Sequence, residues 1–182
     1  MVKTVAIIGR PNVGKSTLFN RLLGKKISIV ANEPGVTRDY IIDKYHYKDS
    51  VLELIDTAGI QESNKKDLSK ALKGMSKIAI EKSDAILFVL DSREELTSDD
   101  FYLSRLIRKS GKKVILVANK CETLNQDNDS LSFNSLGFGD PINVSAEHDR
   151  GMSDLKTVLN RLEEFSYPLN KNLIETTEDF PI

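Results

Sequence analysis

The chain alternates between short apolar runs and longer segments in which apolar residues recur every three or four positions. Continuous apolar runs bounded by turn residues predict buried strands, here at 3–8, 85–90, 114–118 and 141–144. Helical spacing of apolar residues predicts helices over 15–24, 68–82, 98–109 and 152–165, with a weaker pattern at 129–136. The apolar positions that give these patterns include Ile78 in the second helix and Phe101 in the third.

Residues 40–47 alternate between apolar and polar side chains, and residues 51–55 are mostly apolar. Lys48, Asp49 and Ser50 between them favour a hairpin, which would add one antiparallel strand. Elsewhere strands and helices alternate, a pattern typical of right-handed β-α-β units. The predicted fold class is therefore α/β: a mainly parallel sheet of about six strands with one antiparallel strand, and helices on both faces.

A phosphate-binding motif lies between the first strand and the first helix, at residues 9–17. Gly9, Gly14, Lys15 and Ser16 have the P-loop spacing, in the strand–loop–helix context that this motif requires. Glycine lets backbone N–H groups approach phosphate oxygens closely, and the helix start adds further donors. Lys15 would bring positive charge to the β- and γ-phosphates, and the Ser16 hydroxyl is a hard oxygen ligand for Mg²⁺. The motif predicts a P-loop NTPase. The expected nucleotide contacts in this loop are Asn12, Val13, Gly14, Lys15, Ser16 and Thr17.

Four polar loops follow the carboxyl ends of predicted strands, at residues 9–17, 56–59, 119–122 and 145–146. In an open α/β sheet the carboxyl ends of parallel strands meet at one edge, where ligands bind. Because the four loops are far apart in the chain, their shared position at this edge predicts a single nucleotide site.

Composition limits the kind of protein further. The chain has 182 residues, 40% of them hydrophobic and 29% charged, with a formal net charge of −1. No overall basic field favours nucleic acid or an anionic membrane. The single cysteine, Cys121, excludes an internal disulfide and indicates a reducing, cytoplasmic environment. We expect one domain over residues 1–165 and a linker over 166–182.

Two further observations concern the surface. No apolar run approaches the roughly 18 residues of a membrane-spanning helix, so we expect no association with a membrane. Lys112 and Lys113 are expected to be solvated surface charge; the alternative, a contact with nucleic acid, is only weakly indicated because no aromatic residues are interleaved with them.

The motifs have the order and spacing of the five guanine-nucleotide motifs of translation-factor-type GTPases. A closer match covers nearly all of residues 3–165, and its most specific segments are 9–22, 33–39, 56–60, 135–139 and 144–148. These segments resemble the first G domain of the bacterial Der (EngA) GTPase family, a Ras-like P-loop domain. The resemblance implies a second, tandem G domain and a KH-like domain beyond this chain. It also implies GTP hydrolysis with a role in assembly of the large ribosomal subunit.

The resemblance assigns roles around the terminal phosphate. Thr37 would ligate Mg²⁺ with its hydroxyl and donate its N–H to the γ-phosphate, as in switch loops that order on GTP binding. Asp56 would hold Mg²⁺ through a water molecule, so the expected metal-binding residues are Ser16, Thr37 and Asp56. Gly59 would offer its N–H to the γ-phosphate.

The base would be recognised by the two later loops. Asn119 would hold neighbouring loops together, and the methylene stem of Lys120 would cover the ring. A carboxylate accepts both the N1–H and N2–H₂ donors of guanine; the family uses Asp there, whereas this chain has Glu122. The turn at Ser145 and Ala146 would place a backbone N–H near guanine O6. We expect guanine to be preferred, with either weaker affinity or a smaller margin over other bases because the Glu122 side chain is longer.

The sequence indicates fewer residues for GTP hydrolysis than for nucleotide binding. Ile60 occupies the position at which small signalling GTPases carry a water-orienting glutamine. In similar potassium-activated GTPases, the asparagine at the position of Asn12 helps to hold K⁺. The expected catalytic residues are Lys15, Thr37, Gly59 and Asn12, with slow turnover that K⁺ stimulates. Two alternatives stay open: an ATPase, because of Glu122, and a regulatory module that binds nucleotide with negligible turnover, because of Ile60.

Overall fold

A computed structural model describes residues 4–24, 40–47, 50–57, 65–123, 125 and 129–162. Its centre is one six-stranded sheet, ordered β2-β3-β1-β4-β5-β6. The strands are β1 (Thr4–Ile8), β2 (Ile41–Tyr47), β3 (Ser50–Asp56), β4 (Ala85–Asp91), β5 (Lys113–Asn119) and β6 (Ile142–Asn143). The β2–β3 pair is antiparallel and the other four pairs are parallel. The predicted fold class is therefore confirmed, including the hairpin.

Four α-helices and one 3₁₀ helix accompany the sheet in the described part of the chain. They are α1 (Lys15–Leu23), α2 (Lys65–Lys82), α3 (Ser98–Ser110), the 3₁₀ helix (Ser130–Leu136) and α4 (Met152–Asn160). The start of α3 is defined by a capping box, in which the Thr97 hydroxyl accepts from the Asp100 N–H and the Asp100 carboxylate accepts from the Thr97 N–H. Left-handed Gly111 ends α3, as its position after the last apolar residue predicts.

The helices cover both faces of the sheet, and each face has its own hydrophobic core. On one face Phe19 of α1 and Leu155 of α4 pack with the buried side chains of β1, β4 and β5. On the other face Ala79 of α2 and Ile107 of α3 do the same. All seven residues of β4 are buried because β4 lies in the interior of the sheet with packed helices above and below.

Lys112 anchors the carboxyl end of α2, where backbone carbonyl groups have no partners within the helix. Its ammonium group donates to the carbonyl oxygens of Ile80, Glu81 (2.9 Å) and Ser83. Lys113 similarly donates to the Leu162 carbonyl oxygen at 2.7 Å. The expectation that this lysine pair is solvated surface charge was therefore wrong, because both ammonium groups bind backbone carbonyls.

Several predicted details differ from the structure. Ile78 and Phe101 are 36% and 43% exposed, since α2 instead buries Ile80 and α3 turns Leu103 and Ile107 towards the sheet. The last helix ends at Asn160 rather than 165, because the N–H of Arg161 already donates to carbonyls within the final turn. The final strand, Ile142–Asn143, is two residues long instead of four: Pro141 has no N–H to donate to a neighbouring strand, and the turn closed by Ser145 and Arg150 follows directly after Val144. Among the described helices, none is long and apolar enough to cross a membrane.

Candidate functional site

Asn119 joins three loops at the carboxyl edge of the sheet. It is the last residue of β5, and its side chain is 2% exposed. Its amide nitrogen donates to the Val13 carbonyl oxygen at 2.9 Å, and its amide oxygen accepts from the Ala146 N–H at 3.1 Å. One buried side chain thus links the P-loop to the loops after β5 and β6. The predicted convergence of these loops is found in the structure.

The P-loop depends on two glycines that have no room for a side chain. A Cβ atom added to Gly9 would lie 2.6 Å from the Val89 carbonyl oxygen and 2.9 Å from the Val13 side chain. Gly14 has a φ of +92°, and the Asn119 amide occupies the space beside it. Asn12 also has a left-handed φ of 67°, which asparagine tolerates better than most residues.

Lys15 is almost completely buried at the first turn of α1, with 4% of its surface exposed. Its ammonium group donates to the Arg10 carbonyl oxygen at 2.8 Å. Burial lowers the pKa of Lys15 to about 8, although the charge of Asp56 acts in the opposite direction and that of Arg10 adds to the lowering. The buried ammonium group is therefore incompletely compensated, and an anion placed next to it would gain strongly.

Ser16 and Asp56 bring two hard oxygen ligands together. The Ser16 hydroxyl donates to Oδ2 of Asp56 at 3.0 Å, and the Asp56 side chain is 1% exposed. The hydroxyl of Thr57 donates to the Ile7 carbonyl oxygen at 3.2 Å, which fixes the end of β3 beside β1. A carboxylate and a hydroxyl so placed fit the chemistry of Mg²⁺, which prefers a few oxygen ligands and retains several waters.

Lys120 lies against the P-loop in a left-handed conformation with a φ of 65°. Its ammonium group donates to the Asn12 carbonyl oxygen and lies 3.1 Å from Oδ2 of Asp91. Burial alone would raise the pKa of Asp91, but its hydrogen bonds with Arg93 and Lys120 outweigh burial and hold that pKa below its usual value. The charged Asp91 therefore fixes the direction of the Lys120 side chain.

Arg21 and Arg150, which are not among the predicted site residues, hold the loops after β5 and β6 in place. Arg21 of α1 donates to the Ala146 carbonyl oxygen at 2.7 Å and to the Glu147 carbonyl oxygen at 2.8 Å. Arg150 donates to the Cys121 carbonyl oxygen at 2.7 Å. These contacts follow no sequence spacing that could have predicted them, because a long guanidinium side chain can reach any nearby carbonyl.

The remaining predicted site residues differ in position. Glu122 is exposed and lies at the rim of the site, and Thr17 is exposed on α1. The Ser145 N–H already donates to the Arg150 carbonyl at 2.9 Å, so a contact with guanine O6 requires the Ala146 N–H to be shared with Asn119. Thr37 and Gly59 lie outside the described residues, as does Ile60.

A P-loop, an aspartate at the end of β3 and an Asn-Lys pair after β5, on a six-stranded α/β sheet, define a P-loop GTPase domain. The sequence profile of the family described as 50S ribosome-binding GTPase matches residues 4–120. The chain belongs to this family.

Individual relatives agree with that assignment. The GTPase Der of Bartonella bacilliformis is 46% identical over 159 residues, which cover 87% of this chain and 34% of that protein. The chain thus spans about a third of this curated relative's length, and the similarity confirms the predicted resemblance to Der. A structure of Era with MgGDPNP and nucleotides 1506–1542 of 16S ribosomal RNA is 32% identical, with a TM-score of 0.70 over 87% of this chain and 56% of that one. The G domain of the T. maritima FeoB iron transporter is 27% identical, with a TM-score of 0.62 over 90% of this chain and 99% of that one.

Proposed function

We propose that this chain binds GTP with Mg²⁺ and hydrolyses it, acting as a switch domain in assembly of the large ribosomal subunit. The observation that carries the proposal is the Asn119 side chain, which joins the phosphate loop to both base loops. A site that only bound phosphate would not need its loop tied to the loops after β5 and β6 at the same edge of the sheet. Family membership supports the ribosomal role.

The phosphates would lie in the P-loop, against the backbone N–H groups of residues 12–17. Lys15 would exchange its present contact with the Arg10 carbonyl for the β- and γ-phosphate oxygens. Ser16, Thr37 and Asp56 would hold Mg²⁺, which supplies positive charge that offsets the negative charge of the phosphates. Gly59 would donate its N–H to the γ-phosphate.

Guanine would lie between the loops after β5 and β6. Glu122 would accept from the N1–H and N2–H₂ groups, while the Ala146 N–H would donate to O6. Adenine carries a donor where guanine has O6, so it would repel that N–H. Asn119 and Lys120 would form the sides of the pocket, since both are held in place by contacts with the P-loop.

Turnover would be slow and stimulated by K⁺. Asn12 is exposed in the P-loop and has a left-handed φ of 67°. A monovalent cation held there would stabilise negative charge that develops between the β- and γ-phosphates. GTP hydrolysis should be faster in KCl than in NaCl at equal ionic strength, and identical rates would exclude this part of the proposal.

The full-length protein would extend beyond this chain. The chain covers about a third of its curated relative, which supports a second G domain and a KH-like domain following a linker at residues 166–182. The partners would then be a guanine nucleotide and the large ribosomal subunit, in the cytoplasm.

The test is ligand-dependent stabilisation of the full chain against heat, because a ligand that binds the folded state raises the unfolding temperature. GTP and GDP with Mg²⁺ should raise it by several degrees, and ATP and XTP should have little effect. Equal shifts with ATP and GTP would favour an ATPase. GTP binding without single-turnover hydrolysis in KCl would favour a regulatory module.

A further inference from the structure

The loops on either side of the base position are locked at a fixed separation. The Cys121 N–H donates to the Val144 carbonyl oxygen at 3.0 Å, and Arg150 donates to the Cys121 carbonyl oxygen at 2.7 Å. Paired bonds of 2.9 and 3.0 Å between Ser145 and Arg150 close the turn between them. Glu122, which follows Cys121, therefore faces this turn across a gap that the backbone does not easily change.

His148 extends from that turn towards Glu122. Its Nε2 lies 3.5 Å from Oε1 of Glu122, and the two side chains are 60% and 44% exposed. The His148 N–H donates to the hydroxyl of Ser145 at 3.4 Å, and Ser145 is 1% exposed. The backbone of His148 is thus fixed on a buried residue while its ring reaches the carboxylate.

Glu122 needs such a partner more than an aspartate would. Its extra methylene adds a rotatable bond, and an exposed carboxylate on a longer stem loses more rotational freedom when a ligand fixes it. A donor beside one carboxylate oxygen reduces this loss, because each oxygen has a second lone pair for the ligand.

Resting on the proposed function, we infer that His148 is a positioning residue for guanine specificity. It holds the Glu122 carboxylate in the direction in which both oxygens face the two N–H donors of guanine.

Other charged groups near this pair play different parts. A carboxylate oxygen of Glu147 lies within 4.8 Å of the polar side-chain atoms of Glu122 and His148, so Glu147 adds negative charge beside the pair. Arg93 lies near enough that the charge of Glu122 helps to raise its pKa, but the main cause of that rise is its hydrogen bond to Asp91. Both the Nε and Nη2 atoms of Arg93 are 3.3 Å from Asp91 oxygens, so Arg93 is committed to Asp91.

The test compares the affinities of GDP and IDP, because IDP lacks the exocyclic amine and offers the carboxylate one donor instead of two. Replacing His148→Ala should lower the preference for GDP over IDP about fivefold, the size expected for the loss of one hydrogen-bonding partner of the carboxylate. His148→Gln should retain most of the preference, because its amide keeps an N–H donor at similar reach. Glu147→Ala, the matched control on the same turn, should not lower it.

The Glu122→Asp variant is a second background, and it distinguishes a positioning role of His148 from a role in the structure of its loop. In Glu122→Asp the carboxylate is one methylene farther from His148, so His148→Ala should have a clearly smaller effect there. The inference is overturned if His148→Ala leaves the GDP/IDP ratio within twofold of wild type, or lowers it equally in the Asp background. If the wild-type chain binds GDP no better than ATP, the proposed function itself fails; a GDP preference that is insensitive to His148 removes the inference alone.

Discussion

Lys15 should make the nucleotide-free domain less stable at neutral pH. Burial lowers its pKa from 10.5 to about 8, so the folded protein holds a charge that its surroundings disfavour. One pKa unit corresponds to about 1.4 kcal/mol, so keeping Lys15 charged in the folded state at pH 7 costs about 3 kcal/mol. Replacing Lys15→Met removes that charge while keeping a long apolar stem.

The variant also loses the hydrogen bond to the Arg10 carbonyl, which contributes about 1 kcal/mol. The free energy of unfolding of Lys15→Met should therefore exceed that of wild type by about 2 kcal/mol at pH 7. The same variant should bind GTP and GDP far more weakly, because it lacks the charge that faces the phosphates. The residue that lowers stability is then the one that binding requires.

The pH dependence follows from the direction of the shift. Because the folded pKa is below the unfolded pKa, the unfolded chain binds more protons than the folded chain between pH 8 and 10.5. Wild-type stability should therefore rise with pH across this window relative to Lys15→Met, and the advantage of the variant should shrink. Below pH 8 the advantage should stay constant.

Urea unfolding followed by circular dichroism, without nucleotide and at pH 7, 8.5 and 9.5, measures these differences. Lys77→Met is the matched control, since Lys77 is exposed on α2 and its loss should change stability by less than about 0.5 kcal/mol. A Lys15→Met variant that is less stable than wild type at pH 7, or an advantage that does not shrink by pH 9.5, would refute the reasoning.

Four further substitutions test the packing of the site and its scaffold. Gly9→Ala should destabilise the domain by about 2 kcal/mol, because the new methyl group meets the Val89 carbonyl. Gly74→Ala lies in open space on α2 and should stabilise the domain by up to about 1 kcal/mol. Chemical unfolding measures the stability of both variants. Asn119→Ala should cost about 2–4 kcal/mol and abolish GDP binding, because it leaves two buried backbone groups unpaired; equal stability of variant and wild type would contradict this. Lys112→Met should cost about 1–2 kcal/mol and speed hydrogen exchange at the carboxyl end of α2, with exchange in β4 as the internal reference.

Much of the fold could be predicted because its signals are local. The buried strands are continuous apolar runs, and the P-loop is recognisable from four residues of fixed type and spacing. The side of a helix that faces the sheet was harder to predict. Ile78 and Ile80 are equally apolar, and packing decides which of them is buried. Periodicity over one helix cannot settle a choice between such neighbours.

The site was predicted less completely than the sheet. Strand ends indicated which loops meet, and the chemistry of phosphate and guanine indicated the residue types. The supports of those loops were not predictable, because Arg21 and Arg150 bind backbone carbonyls. Every residue has the same backbone carbonyl group, so the sequence does not indicate which carbonyl such an arginine binds. The contact between His148 and Glu122 depends in the same way on the fold of two separate loops.

The contacts of Lys112 fix one end of the long helix α2. Its eighteen residues span about 27 Å at 1.5 Å per residue, and the ammonium group clamps one end to the start of β5. A tilt of about 10° around that clamp would move the opposite end by about 5 Å, while the clamped end and the strands beside it stay in place. Because the Lys112 contacts hold the carboxyl end of α2, a rigid helix of this length would turn any angular change at the sheet into a displacement that grows along its length towards Lys65.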